Sequence, residues 1–501
     1  MNSKRASQGM NRRGIRNMQR GRRDFLTIVG GAGASLLATA CGGSSTSKPS
    51  GAATSLATRA AASTSSSASA ASTSTSAPAA VKTTPAAPVK VSTVSYYGND
   101  TSPAELAFHK KLGEDFHAAF PQYQTEGSQF SSVDIGLKLS TALASNSPPD
   151  VVFGDRNGRL PTLWDQGFLI PVNDVMDDIY KLVGGKDKMI GLDRYTNASG
   201  DVIGVPFVGS AWVWWYRQDL LQQAGLTPPA GHWDYSFMVK AVKAIHNPPT
   251  LYGFGVSLAR NVGIQYMLGG LILGSGGHFV SPDSKDVLFD SQEVRDAVDV
   301  LKELAQYAPP DASGWGNPDV VTALTRGFVG MEFYQGRVFS QTYSDNPPLV
   351  GKFSNTILPY NKQPATWGAI GAHGLFKGKN QAGAKELAKF SMQKEQLTAY
   401  MLVTPGTYSS AVPAYNTDPS ITGSTVLKAY DPKLSATISE AATHFYDLQV
   451  EGPGWKSNPQ SGAIWDSLVM TDVMQRVIVG KEATKSAVTW GAGQIRDIMK
   501  G

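Results

Sequence analysis

The residues able to carry chemistry are few and unevenly placed. One cysteine, Cys41, stands in 501 residues. Seven histidines are scattered along the chain, and the closest helical pair, His109 and His117, sits eight apart, a surface spacing rather than a metal-ligand one. No H-E-x-x-H, G-x-S-x-G, C-x-x-C or phosphate-cradling glycine loop occurs. Two carboxylates suffice for glycoside hydrolysis and leave no local signature, so that class stays open. The tryptophans stand out instead. All ten follow Gly154, and Trp212, Trp214 and Trp215 share the stretch AWVWWY. Trp233, Trp315, Trp367, Trp455 and Trp465 each neighbour Gly, Pro, Asp or Ser, as in loops. An indole offers a flat apolar face and one N–H donor, which suits holding a ligand; it is equally a core residue, and at least one face of AWVWWY has to be core.

Elements must position these residues, and the chain begins with segments that position nothing. MNSKRASQGMNRRGIRNMQRGRR carries eight Lys or Arg and no acid, and Phe25–Ala40 is a 16-residue uncharged run closing in small residues. This is the layout of a secretory signal, too short and glycine-rich for a spanning helix of ~20 apolar residues. Arg22-Arg23-Asp24-Phe25-Leu26 resembles a twin-arginine export signal. Ala38-Thr39-Ala40-Cys41-Gly42 resembles a bacterial lipobox, with Ala38 where Leu is usual. Residues 1–41 are thus expected to be a lipoprotein signal peptide, with a lipid on Cys41 as the membrane anchor; a thiol discarded with the leader is the plainer alternative. One cysteine leaves no internal disulfide.

Residues 42–90 follow. Of these 49, 35 are Ser, Thr or Ala, with no aromatic and no acidic residue, so the segment cannot bury enough apolar surface to offset its chain entropy. A disordered tether is expected. The whole chain holds 45 basic and 40 acidic side chains, but the first 24 residues account for eight and one, leaving 37 against 39. The excess of positive charge belongs to the leader, and no nucleic-acid partner is expected.

Ordered sequence opens at VKVSTVSYYG, and the ~410 residues from there exceed what one core usually holds, so two domains are expected. Helical spacing marks Pro103–Phe120, Val133–Ala144, Leu160–Gln166, Asp219–Ala224, Ser291–Tyr307, Gln381–Met392 and Ile464–Val479. Strands are expected at DVVFG (150–154), Val202–Phe207 and Trp212–Tyr216. The alternation argues an α/β class.

The order of these blocks resembles the bacterial extracellular solute-binding proteins of ABC importers, family 1, the sugar-binding, maltose-binding-protein-like type. PPDVVFGD with LWDQGFLIPVND, GVPFVGSAWVWWYRQDLLQQAGL, LGGLILGSGGHFV with VLFDSQEVRDAVDVLKEL, LTRGFVGMEFYQGRVF, and WGAIGAHGLFKGKNQAGAKELAKFSMQ carry the resemblance over Ser95 to about Ile498. No single block is specific; their order and spacing are. The chain departs at Tyr216-Arg217 (usually Tyr-Asn), at His232-Trp233-Asp234-Tyr235 (usually Thr-Trp-Asp/Glu-Glu), and at Gly330 and Val338 (usually Ala and Trp).

The resemblance implies a two-lobed periplasmic-binding-protein-like fold with a hinged interlobe cleft. Lobe 1 would be 91–207 plus 368–415, and lobe 2 would be 208–367 plus 416–501. It implies an extracellular, lipid-anchored monomer, without enzymatic activity or cofactor, that binds a sugar in the cleft and delivers it to the permease subunits. A pyranose has apolar C–H faces that rings match and a rim of hydroxyls that polar side chains match. The substrate-binding residues implied are Tyr97, Asp155, Asn157, Trp212, Tyr266, Trp315, Tyr334, Gln335, Arg337, Trp367 and Gly368, with no metal. For Asp155 and Asn157, turn chemistry in D-R-N-G is an equal alternative. A peptide, polyamine or glycerol-phosphate ester as cargo, a glycan-active enzyme and a structural adhesin remain alternatives. An adhesin would need no hinge and would not be stabilised by any small ligand.

Overall fold

The computed structural model describes residues 90–500 apart from 133 and 198; the expected signal peptide, Cys41 and the expected tether up to residue 89 lie outside the described residues. Ten strands are described: β1 (Ser92–Gly98), β2 (Tyr123–Gln129), β3 (Val151–Asp155), β4 (Val205–Arg217), β5 (Tyr252–Gly255), β6 (Val329–Gln335), β7 (Phe353–Thr356), β8 (Thr366–Leu375), β9 (Ser409–Ser410) and β10 (Phe445–Tyr446). They join in the order β2-β1-β3-β8-β4-β6-β5, with β7 and β9 on β4 and β10 on β8. β1, β2 and β3 are parallel, as are β5 and β6, and helices supply the connections these crossovers need.

Two antiparallel strands carry the architecture. β4 reads VPFVGSAWVWWYR, and all 13 residues are buried, as its near-continuous β-branched and aromatic content dictates. Its first half pairs with β8 (Val205 opposite His373, Ala211 opposite Gly368) and its second half with β6 and β7 (Trp212 opposite Gln335, Arg217 opposite Phe353). Val208 belongs to one hydrophobic core, built from residues 94–208 and 370–412. Ala211 belongs to another, built from residues 211–367 and 430–495. β8 divides in the same way between Trp367 and Ile370. Each long strand thus has one end in each core.

Two expectations change. The separate strands expected at 202–207 and 212–216 are one strand: Gly209-Ser210 looks like a break, but the ladder with β8 only shifts register between Pro206 and Gly209, and β9 pairs with Val208 and Gly209 there. The single helix expected over Ile464–Val479 is two, Ser461–Asp466 and Val469–Ile478, because Leu468 takes a left-handed conformation (φ 60°). Among the described residues no helix is long and apolar enough to cross a membrane.

Candidate functional site

Where β4 and β8 pass from one core to the other they line a cavity of about 520 Å³. The strands contribute Ser210, Trp212, Trp367 and Gly368. Gly368 is required there: a Cβ would lie 2.4 Å from the Phe445 ring and 2.7 Å from the Ser210 carbonyl oxygen. The glycine after Trp367 therefore marks a close approach, not a loop. Trp367 lies in a strand and Trp465 in a helix, so the loop setting read from their neighbours does not hold for either.

One wall is aromatic. Trp212 stacks on Tyr266 with ring centres 4.2 Å apart and planes 15° apart. Tyr266 meets Trp465 at 5.0 Å, and Trp465 stacks on Trp367 at 5.7 Å. Tyr334, at the end of β6, packs 4.9 Å from Trp212. Burial holds the Tyr266 phenol up at about 12 and pushes Tyr334 well above its ordinary value, so both stay neutral hydroxyl donors. Gln335 ends β6 and Arg337 follows it, both on the cavity, and between them Gly336 lets the chain pass against the 406 carbonyl.

The rest of the lining is mostly polar. Beyond β3, Arg156 and Asn157 reach the cavity. Asn157 is buried, and its amide nitrogen has no hydrogen-bond partner among the described residues. A buried donor left unmatched is costly. Arg156 donates to Asp100 Oδ1 (3.0 Å), Asn99 Oδ1 (3.2 Å) and Tyr400 Oη (3.1 Å), and its guanidinium lies 5.0 Å over the Tyr408 ring. Burial would raise the Asp100 carboxyl, but Arg156, with hydrogen bonds from His109 and Tyr400, overrides it and holds Asp100 well below the usual carboxylate range. Glu105 sits in the first turn of helix Pro103–Ala119 through a capping box: its backbone N–H donates to Ser102 Oγ, and its Oε2 accepts from the Ser102 N–H at 2.9 Å.

Eight of the eleven expected residues line the cavity together: Asn157, Trp212, Tyr266, Tyr334, Gln335, Arg337, Trp367 and Gly368. Three do not. Asp155 is buried and accepts from the Arg159 backbone at 2.9 Å and from its guanidinium at 2.8 Å, so it organises the turn. Tyr97 points away from the Tyr96 side of β1 and meets the Phe130 ring edge-on at 5.0 Å; Asn99, past the strand end, reaches the cavity instead. Trp315 packs towards Phe328, while its carbonyl accepts from Ser257 and its neighbours Gly316 and Asn317 are on the cavity. Sequence reasoning missed Glu105, Arg156, Asn261, Asn317, Gln341 and Tyr408. The T-S-P-A-E capping signature and the arginine inside D-R-N-G were the available signals for two of them. Among the described residues no group of His, Cys, Asp or Glu could hold a metal ion.

Comparison with known proteins agrees with this geometry. The sequence of residues 99–397 matches the family described as bacterial extracellular solute-binding protein. YcjN of Escherichia coli K12, an ABC transporter periplasmic-binding protein by provisional assignment, is 22% identical over 285 residues, 56% of this chain. The match spans 63% of that relative, less than two thirds of its length. The solute-binding protein of an ABC transporter from Thermotoga lettingae TMO, solved with α-D-tagatose, superposes with a TM-score of 0.68 at 20% identity, covering 81% of this chain and 99% of that one. A sugar transporter of Arthrobacter chlorophenolicus A6 with bound laminaribiose gives 0.69 at 16% identity, with the same coverage. Both neighbours have the two-lobed periplasmic-binding fold, as does this chain. With a family match over more than half its length and a cavity at the crossing of two lobes, the chain belongs to the bacterial extracellular solute-binding proteins.

Proposed function

We propose that this chain is the solute-binding component of an ABC importer and that its cavity takes a sugar or short oligosaccharide for delivery to the permease. The carrying observation is the mixed lining. The rings of Trp212, Tyr266 and Trp367 line the cavity together with the amides of Asn157, Asn261, Asn317 and Gln335 and the Ser210 hydroxyl. Rings cover the C–H faces of a pyranose and the polar groups meet its hydroxyls. Tagatose and laminaribiose in structural neighbours support the same class. Hydrolysis is disfavoured: Glu105 is the one carboxylate among the described lining residues, and glycoside hydrolysis ordinarily uses two.

The two cores support lobes of 91–207 plus 368–415 and 208–367 plus 416–501, with β4 and β8 as hinge strands. Closure on ligand would then follow the difference in affinity between the closed and open forms. The leader supports export and lipid attachment at Cys41, with residues 42–90 as a tether. In a thermal-shift screen of the chain without its leader, a saccharide at 100 times its dissociation constant adds ~2.7 kcal/mol of stability. Shifts from peptides, polyamines or phosphate esters but from no saccharide would refute the sugar reading. Cys41→Ala is expected to release the protein from the membrane with binding intact; a variant still retained there would refute the anchor.

A further inference from the structure

Both arginines on the cavity are already paired. Arg337 donates from one Nη to Glu105 Oε1 at 2.7 Å, bridging residues 232 positions apart. Glu105 is itself held from three directions. Oε1 also accepts from Tyr408 Oη at 3.2 Å, and Oε2 caps the Ser102 N–H. Arg156 has its own carboxylate in Asp100, which accepts further from Tyr400 Oη at 2.8 Å and pairs with His109 Nε2 at 3.0 Å. Each guanidinium therefore meets a buried, immobilised carboxylate, and the formal charge around the cavity cancels.

We infer that Glu105 is a specificity-determining residue: by neutralising and orienting Arg337 it restricts the cavity to uncharged polyhydroxylated ligands and excludes acidic sugars. The inference rests on the carbohydrate reading above and names the class within it. The physical reason is competition. A guanidinium fork is the natural partner of a ligand carboxylate. Here a uronate would have to displace Glu105, which cannot swing away without leaving the Ser102 N–H and the Tyr408 hydroxyl unmet, or else sit beside a second negative charge in a partly desolvated cavity. A neutral sugar faces no such conflict. Arg337 uses one nitrogen on Glu105, and the rest of its fork remains for hydroxyl oxygens, aimed by the ion pair.

The test is calorimetric titration with matched disaccharides, one set neutral (maltose, laminaribiose, lactose) and one set with a glucuronate or galacturonate in place of one ring. The wild type is expected to favour a neutral member over its uronate by about 30-fold or more, and Glu105→Gln to shrink that ratio at least tenfold, the scale of one charge-assisted hydrogen bond. The uronate gain in the variant should fade in 0.5 M NaCl while neutral binding holds. Because the amide weakens the cap, Arg337→Gln is the second arm. It leaves Glu105 uncompensated, so uronates stay excluded and an amino-sugar disaccharide gains over its neutral counterpart. Equal wild-type affinity for neutral and acidic partners, or a ratio unchanged in Glu105→Gln and no gain for the amino sugar in Arg337→Gln, overturns the role of Glu105. A wild type that binds no saccharide of either charge overturns the carbohydrate reading, and this inference with it.

Discussion

Trp212 is the ring on which the binding account leans most. It is 5% exposed, and what remains open faces the cavity, with Tyr266 stacked behind it at 4.2 Å. With only 5% of the side chain open, the indole offers a ligand on the order of 10 Å², worth about 0.3 kcal/mol at roughly 25 cal/mol per Å². The ring's stacking preference adds about 0.5–1.5 kcal/mol. Trp212→Ala should therefore weaken saccharide binding by about 1–2 kcal/mol, or roughly 5- to 30-fold. The same change empties a core position and should cost about 3–5 kcal/mol of stability. Two controls separate the effects. Trp212→Phe keeps a ring at the site and should lose less than about threefold in affinity. Trp233→Phe perturbs a buried tryptophan that packs on Tyr216 and Phe237 away from the cavity, so it should lower stability and leave affinity alone. Calorimetric titration with the best saccharide, together with urea unfolding, reads both quantities. If Trp212→Ala binds as the wild type does, or Trp233→Phe loses as much affinity as Trp212→Ala, the ring wall is not the ligand platform.

Two further outcomes follow from single positions. Glu332 is fully buried on β6 with neither oxygen partnered among the described residues, and burial pushes its carboxyl well above its ordinary value near 4.5. The folded chain then keeps this proton while the unfolded chain loses it, so stability is fully present below about pH 4.5 and falls as pH rises, by up to about 1.4 kcal/mol per unit until the folded carboxyl ionises. Glu332→Gln should remove that slope and be more stable than the wild type at pH 7; urea midpoints with the same pH profile in both proteins would contradict this. A Cβ at Gly269 would fall 1.9 Å from the Trp367 ring, so Gly269→Ala should push Trp367 out of place and weaken saccharide binding despite alanine's better helix propensity; unchanged affinity in a titration would show that Trp367 does not contact ligand.

Much of the fold was legible because periodicity reports it directly. The helix over Pro103–Ala119, the helix over Gln292–Leu304 and the buried strand at Val151–Asp155 sit where apolar spacing put them. Breaks were less legible. Gly209-Ser210 reads as a turn yet lies inside β4, and Leu468 reads as mid-helix yet ends one; in both cases tertiary packing overrode local preference. The ring-bearing and β6-end positions of the cavity could be found because tryptophan and tyrosine are rare and the blocks that carry them have a recognisable order. Of the charged half only Arg337 could, and its partner could not. Glu105 and Arg337 are 232 residues apart, and Arg156 meets Asp100 from 56 away, so nothing in the local sequence shows that each arginine has a carboxylate waiting. Asp155 and Asn157 show the limit of spacing arguments: two positions apart on one turn, one side chain folds back onto Arg159 and the other opens to the cavity.

The measurement that bears most directly on the central claim is a crystal structure of the chain with its tightest-binding saccharide. In that structure a sugar ring should lie on Trp212 and near Trp367, ligand oxygens should hydrogen-bond Asn157 or the other lining amides, and Arg337 should still be paired with Glu105. A saccharide bound away from the crossing of β4 and β8, or one that meets none of the lining amides and touches none of the rings, would contradict that claim.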